Sequence, residues 1–276
     1  MVKFLRDSLG GVLPPAQLRA LETGIDVIGD IAIVKLGDEG RDAGSAVGTA
    51  VMEAMKNVKA VFDQEGGLEG DFRLRRLRHL AGEDRTLTIH RENTLRFKVD
   101  VENCYFSPRL STERARIAAL VGDGELVLNM FAGVGPYSIT IAKARKAKVY
   151  SNELNGTAYG LHVENNRLNK VEPRVHMLNE DAMGLSQSLD VRFDRVLMPH
   201  PSQSDRFLGT ASSLLKKGGW IHYYRHVSGA NLREAQATLE DELCGLVGTG
   251  ATRNIRRVRE IGPHYLELVA DIRLEG

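Results

Sequence analysis

From about Thr112 to the C-terminus the sequence alternates between two periodicities, and this constrains the fold more than any other feature. Short apolar runs such as "ELVLNMF", "KVYSNEL", "VHMLNED" and "DRVLMPH" have the length of buried strands. Between them stand "SITIAKARKA", "TAYGLHVENNRLN" and "DRFLGTASSLLKK", which carry the longer apolar period of helices. "GWIHYYRHV" and "ANLREAQATLEDELC" continue the series, and "NIRRVREIG" and "YLELVADIRL" close it as two further strands. Repeated β-then-α units predict a mostly parallel sheet with helices on both faces, ending in an antiparallel C-terminal strand.

The preceding residues follow no such pattern. Residues 1–25 predict a short helix and linker, broken at "GGVLPP". Residues 26–110 predict a small α+β module. It comprises a strand pair over "DVIGDIAIVKL" with its turn at Gly29 and Asp30, a helix over 43–57, a strand over 58–64 and a turn at "EGGLEGD". "FRLRRLRHLAGED" alternates apolar and basic residues, so Arg73, Arg75 and Arg78 are expected to point away from the packed face. A hairpin over 86–101 turns at "REN". Residues 111–276 form the α/β domain, with Ser111 or Thr112 as the cap of its first helix.

Charge is uneven although the net value is only +1. Residues 73–116 hold 11 Lys and Arg against 6 Asp and Glu, and "RNIRRVR" at 253–259 is a second basic cluster. Such local excess suits an anionic partner, two solvated faces being the alternative. No run approaches 18 apolar residues, the N-terminus lacks a secretory core, and Cys104 and Cys244 give neither a disulfide framework nor a metal spacing. The expectations are a cytoplasmic protein, no membrane, no metal and a monomer. His90, His222 and His226 are expected to be structural.

"LVLNMFAGVGPYSI" places a buried strand before a glycine turn and a helix. Gly133 and Gly135 allow close backbone approach, and the following helix start offers free N–H groups. Ser138 stands where a dinucleotide fingerprint has its third glycine, which disfavours a dehydrogenase. S-adenosylmethionine fits better. Its carboxylate would lie at the helix start, lined by Phe131, Gly133, Val134, Gly135 and Pro136. Glu153, 18 residues beyond Gly135, can take both ribose hydroxyls with Leu154 beside it. Asp181 and Ala182 would meet the adenine, and Met198 closes the pocket.

At these residues the chain resembles the archaeal and eukaryotic tRNA guanine-37 N1-methyltransferases. "DVIGDIAIVKL", "FRLRRLRHLAGEDRTLTIHREN", "YFSPRLSTERARI", "MFAGVGPYSI", "VENNRLNKV" and "GGWIHYY" carry the resemblance. It implies a Rossmann-like class I S-adenosylmethionine-dependent methyltransferase domain behind an RNA-binding module that grips the tRNA anticodon stem-loop. The guanine would be flipped out to expose its Watson–Crick edge. The resemblance makes Glu113 the base that takes the N1 proton, Arg73 the cation facing the guanine oxygen, and Tyr105 a wall of the cofactor and base pocket. Arg75, Arg109 and Arg114 join Arg73 as expected RNA contacts.

The sequence departs from that family at three places. Its Asn-x-Pro corner reads Pro199, His200 and Pro201 here, so only the last proline is kept and the amide is gone. Asn129 stands where an acid is usual, and with only about 25 residues before "DVIGD" the separate domain that senses the tRNA elbow is expected to be missing. Pro199 and Pro201 hold the corner stiff on the target-base side. His200 either shapes the corner through backbone hydrogen bonds or donates to the base in place of the amide. The related wyosine-synthesis transferases, which attach an aminocarboxypropyl group or methylate a carbon at position 37, are the alternatives. A tRNA-binding homologue with weakened catalysis is another.

Overall fold

The computed structural model describes residues 25–247 and 251–274, with Gly10 and Pro15 as isolated positions. The helix and linker expected over 1–25 lie outside the described residues. Two compact units are present. One runs to Arg109 and includes Gly160–Leu168; the other comprises Leu110–Tyr159 and the chain from Asn169 onward.

In the first unit, β1 (Asp26–Ile28) and β2 (Ile31–Val34) are antiparallel about the expected turn. Gly29 sits there at φ +61°, and a Cβ on it would come 2.1 Å from Thr88 Oγ1, so only glycine fits. Helix α1 (Gly44–Ala54) buries Val47 and Val51 in a cluster with Ala32, Val34 and Val61. β3 (Ala60–Glu69) pairs parallel with β2 and antiparallel with β4 (Leu74–Gly82). The turn expected at "EGGLEGD" forms only from its end, at residues 70–73: β3 first runs through Gly66 and Gly67 to Glu69. A register shift between Glu65 and Leu68 absorbs the glycines, after which the ladder resumes. β5 (Leu87–Glu92) and β6 (Leu95–Asp100) form the predicted hairpin, with Asn93 at φ +54° in its turn.

The second unit alternates helices α2 (Ser111–Leu120), α3 (Pro136–Ala144), α4 (Gly156–Asn169), α5 (Leu185–Ser188), α6 (Ser204–Ser213) and α7 (Leu232–Val247) with seven strands. These are β7 (Leu126–Asn129), β8 (Lys148–Asn152), β9 (Val175–Leu178), β10 (Phe193–Met198), β11 (Leu215–Ser228), β12 (Thr252–Gly262) and β13 (Tyr265–Arg273). The middle of α4 groups with the first unit, where the Asn165 amide bonds both backbone groups of Lys98 at 2.6 and 3.0 Å. The sheet order is β12-β13-β11-β10-β7-β8-β9, parallel from β11 to β9, with β13 antiparallel to both its neighbours. Strand order reverses between β7 and β10, which opens a crevice beyond Asn129 and Met198. Leu128, Val196, Ile221, Tyr223 and Leu268 form the core beneath it. The expected cap of α2 is also corrected: Leu110 precedes the helix, and no side chain caps it.

Candidate active site

The glycine turn follows β7 because the chain must reverse into α3 without blocking the crevice. Gly133 and Gly135 have φ +55° and +91°, and Pro136 starts α3 where its missing N–H costs nothing. Glu153, one residue past β8, accepts the Gly133 N–H at 2.6 Å and the Asn155 N–H at 2.8 Å. Burial pushes its carboxyl above the usual range, and backbone hydrogen bonds from Asn155, Gly133 and Leu154 only partly offset this. Each Glu153 oxygen retains a lone pair for a further donor. Asn152 joins three strand ends: its amide nitrogen reaches the Met130 and Glu180 carbonyls at 3.3 and 3.0 Å, and its oxygen accepts from Glu180 N at 3.1 Å.

Asp181, past β9, is exposed and accepts from Met183 N at 2.9 Å, just before buried Ala182. Leu154 and Met183 are left 50% and 46% exposed beside the two acids, unusual for large apolar side chains. Asn129 is fully buried, donating to Ser138 Oγ at 3.0 Å, and Ser138 lies 2.6 Å from Ser151 Oγ. This neutral trio occupies the position where the resemblance expects an acid, and it gives Ser138 a structural reason to be there.

Across the crevice, the corner after β10 is held by its own backbone. His200 N donates to Met198 O at 2.8 Å, and buried Ser204 places its hydroxyl 3.1 and 3.0 Å from the Met198 and His200 carbonyls. Pro201 is buried and accepts from His226 N, while Pro199 and His200 are half-buried. The His200 ring lies 5.2 Å from Phe131, which packs edge-on against Phe207 at 4.9 Å. The structure thus brings the glycine loop and the corner together through rings, with Met198 fully buried below.

Glu113 sits in the first turn of α2, its side chain 10% exposed. Arg116 grips both of its oxygens at 2.8 and 2.7 Å, and Tyr224 donates to Oε1 at 2.7 Å. Burial first, with Tyr137 and Glu113 adding to it, holds the Tyr224 phenol well above the usual tyrosine range, so it remains the donor. Arg116 also reaches Asp271 at 2.6 and 3.2 Å, and Asp271 lies 2.5 Å from His222 Nδ1. Burial opposes ionisation of Asp271, yet hydrogen bonds from His222 and Arg116 bring it down to about 2. His222 Nε2 faces Arg195 Nη1 at 2.7 Å and must accept there, since guanidinium only donates. Burial keeps that imidazole neutral. Arg195 ends the chain on Glu125 at 2.9 Å.

In the first unit, Arg73 occupies the left-handed region at φ +55° and holds its guanidinium 4.4 Å over the Tyr105 ring. Arg109 is exposed and paired with Asp26 at 2.7 Å. Two expected RNA contacts are corrected. Arg75 is 6% exposed and donates to Phe106 O, because its side of β4 faces inward. Arg114 is 1% exposed, on the same buried face of α2 as Ile117 and Ala118. Sequence reasoning did not single out Tyr224, Arg116, Asp271 or Asn152. Their partners lie up to 155 residues away and only strand register brings them together.

The strand order, the glycine turn after β7 and the acid after β8 define a Rossmann-like methyltransferase fold of the class I type. The chain belongs to the TRM5/TYW2 methyltransferase family: that family's methyltransferase domain matches residues 88–243, and a TYW2 N-terminal domain matches residues 5–86. It is 43% identical over 212 residues to a Pyrococcus abyssi protein named tRNA (guanine(37)-N(1))-methyltransferase Trm5b, covering 77% of this chain and 62% of that relative. The chain therefore spans less than two thirds of that relative's length. A Saccharolobus solfataricus protein named tRNA 4-demethylwyosine(37)-methyltransferase Taw21 is 30% identical over 251 residues, covering 90% of this chain and 93% of the relative. Among solved structures, a complex of aTrm5 with tRNALeu superposes with a TM-score of 0.84 at 33% identity, covering 100% of this chain and 79% of the other. Pyrococcus horikoshii TYW2 in complex with MeSAdo superposes at 0.76 and 30% identity, covering 99% and 98%. Among the described residues no helix is long and apolar enough to cross a membrane.

Proposed function

We propose that this protein methylates N1 of guanosine 37 in the tRNA anticodon loop, using S-adenosylmethionine. The observation that carries the reading is the buried Glu113 carboxylate, oriented on both oxygens by Arg116 and on one by Tyr224. A fixed carboxylate with a spare lone pair is what removal of a ring-nitrogen proton requires. In this reading 26–110 is the RNA-gripping module and 111–276 the catalytic domain, acting as a cytoplasmic monomer.

The residues present suit the cofactor. Glu153 offers two carboxylate oxygens with room for ribose hydroxyls, the first turn of α3 offers N–H groups to a carboxylate, and exposed Leu154 and Met183 offer an apolar slot near Asp181 for adenine. Bound there, S-adenosylmethionine supplies an electrophilic methyl group on its sulfonium. Glu113 takes the N1 proton, and Arg73 stabilises the negative charge that builds on the guanine oxygen. Tyr105 keeps Arg73 in place beneath its guanidinium. His200, Pro199 and Pro201 form the stiff wall against which the flipped base rests.

A second reading is carbon methylation of a 4-demethylwyosine already present at position 37. It is favoured by a corner that reads Pro199, His200 and Pro201, without the amide of the guanine-37 family. Both readings meet one test. Purified protein is incubated with S-adenosylmethionine and either an unmodified tRNA transcript or tRNA bearing 4-demethylwyosine, and the nucleosides are analysed by mass spectrometry. Gain of 1-methylguanosine from the transcript is the expected result. Methylation of the tricyclic base alone transfers the assignment to the second reading, and no gain on either ends both.

A further inference from the structure

The basic run at 253–259 plays no part in the site described so far, yet the strand register gives it a definite place. β10 ends at Met198, which pairs with Tyr223 of β11, but β11 continues five residues further to Ser228. β13 accompanies it from Val269 back to Tyr265, and β12 from Arg256 out to Gly262. Three antiparallel strands therefore project about 17 Å past the carboxyl edge of the parallel sheet, on the side of the crevice. Arg259 is neutralised in this projection, 2.7 Å from Glu267. Arg256 and Arg257 are both exposed, and neither has an acidic partner among the described residues. They stand at successive register positions, opposite Val269 and Leu268, so they lie on the two faces of this edge strand, and the register shift falls only after them. At the tip, Ile261 and Tyr265 are 41% and 39% exposed, and the Tyr265 ring is braced 5.5 Å from His226.

We infer that this β11–β13–β12 projection is a second RNA-contact surface, on which Arg256 and Arg257 take phosphates of the tRNA and Tyr265 stacks on a nucleotide. The inference rests on the proposed tRNA substrate. Unpaired arginines on a rigid strand neutralise phosphates without sequence preference, and a braced aromatic ring suits base stacking. Edge strands also carry charge merely to prevent pairing with another sheet, and the two roles separate experimentally. Lysine serves either role, whereas glutamine removes the phosphate contact.

The probe is an unmodified tRNA transcript, with binding followed by fluorescence anisotropy across salt concentrations. For an Arg256→Gln/Arg257→Gln variant, the slope of log affinity against log salt should flatten by between one and two, with affinity falling about tenfold at 0.15 M salt. The corresponding lysine variant should keep the slope. Tyr265→Ala should weaken binding about three- to tenfold with the slope unchanged. S-adenosylmethionine affinity should be unaltered in all three. Should the double glutamine variant self-associate, each single variant carries the test with half the loss of slope. Wild-type affinity and slope in the glutamine variants would overturn the surface. Binding is scored without chemistry, so a wild-type protein that binds tRNA but methylates neither substrate defeats the proposed reaction and leaves this surface standing.

Discussion

The two lips of the crevice are built from opposite materials. Past β7 and β8, backbone N–H groups, Glu153 and the Asn152 amide form a polar lattice with fixed directions. Past β10, two prolines, an imidazole and the Phe131 and Phe207 rings present a stiff, largely aromatic wall. A directional lattice selects one ligand by where its hydroxyls and carboxylate lie. A ring wall selects by shape and stacking, and it tolerates a wider or narrower purine. In the proposed reaction the polar lip therefore specifies the cofactor closely, while the choice of acceptor base rests on groups other than the corner.

Changes that test this contrast should differ in size and kind. The largest effect belongs to Glu113, which is part of neither lip. Glu113→Gln should cut the single-turnover methylation rate by about 10²–10⁴, with cofactor affinity from calorimetry unchanged. Equal loss of rate and affinity would remove Glu113 from the base role. Next, Glu153→Gln strips an acceptor from the polar lip and should weaken S-adenosylmethionine binding by about 10–100-fold, the loss typical of a charge-assisted hydrogen bond. Binding of tRNA should hardly move.

On the aromatic lip the expected change is smaller and of another kind. His200→Ala should raise the KM for tRNA about five- to tenfold through lost stacking, leaving cofactor affinity intact. If cofactor affinity falls instead, the two lips are not separable. The smallest effect on activity, none at pH 7.5, is expected from His162 in the first unit. It is fully buried, neither ring nitrogen has a hydrogen-bond partner among the described residues, and burial lowers its pKa to about 3. The unfolded chain binds that proton below about pH 6.5 and the folded chain does not, so stability is lost as pH falls. Urea unfolding should show His162→Leu escaping about 2–3 kcal/mol of the destabilisation between pH 7 and pH 4.5.

Local signals were legible in the residue order. Apolar periodicity places the strands and helices of the second unit, and Gly29 with Asp30, and Asn93, mark turns that form where expected. Local signals also mislead when a neighbouring element overrides them: Gly66 and Gly67 read as a turn but sit within a bulged ladder. Arg75 and Arg114 read as surface charge, whereas the inward faces of β4 and α2 bury them. Glu113 was marked by a motif, but its partner Tyr224, and the Asp271 with which it shares Arg116, follow from the pairing of β11 with β13, which no short segment encodes. The polar lip was read from single residues, Glu153 and Asp181. The amide that joins its strands was not, because Asn152 looks like any residue at a strand end.

That amide has a consequence for how the molecule ages. Asn152 turns its nitrogen toward two carbonyl oxygens, Met130 O and Glu180 O. Hydrolysis to aspartate would exchange that nitrogen for oxygen, leaving three oxygens facing one another in a site where the side chain is 1% exposed. Deamidation at this one position, a gain of about one mass unit, would loosen the ends of three strands at once and silence the protein without cutting the chain.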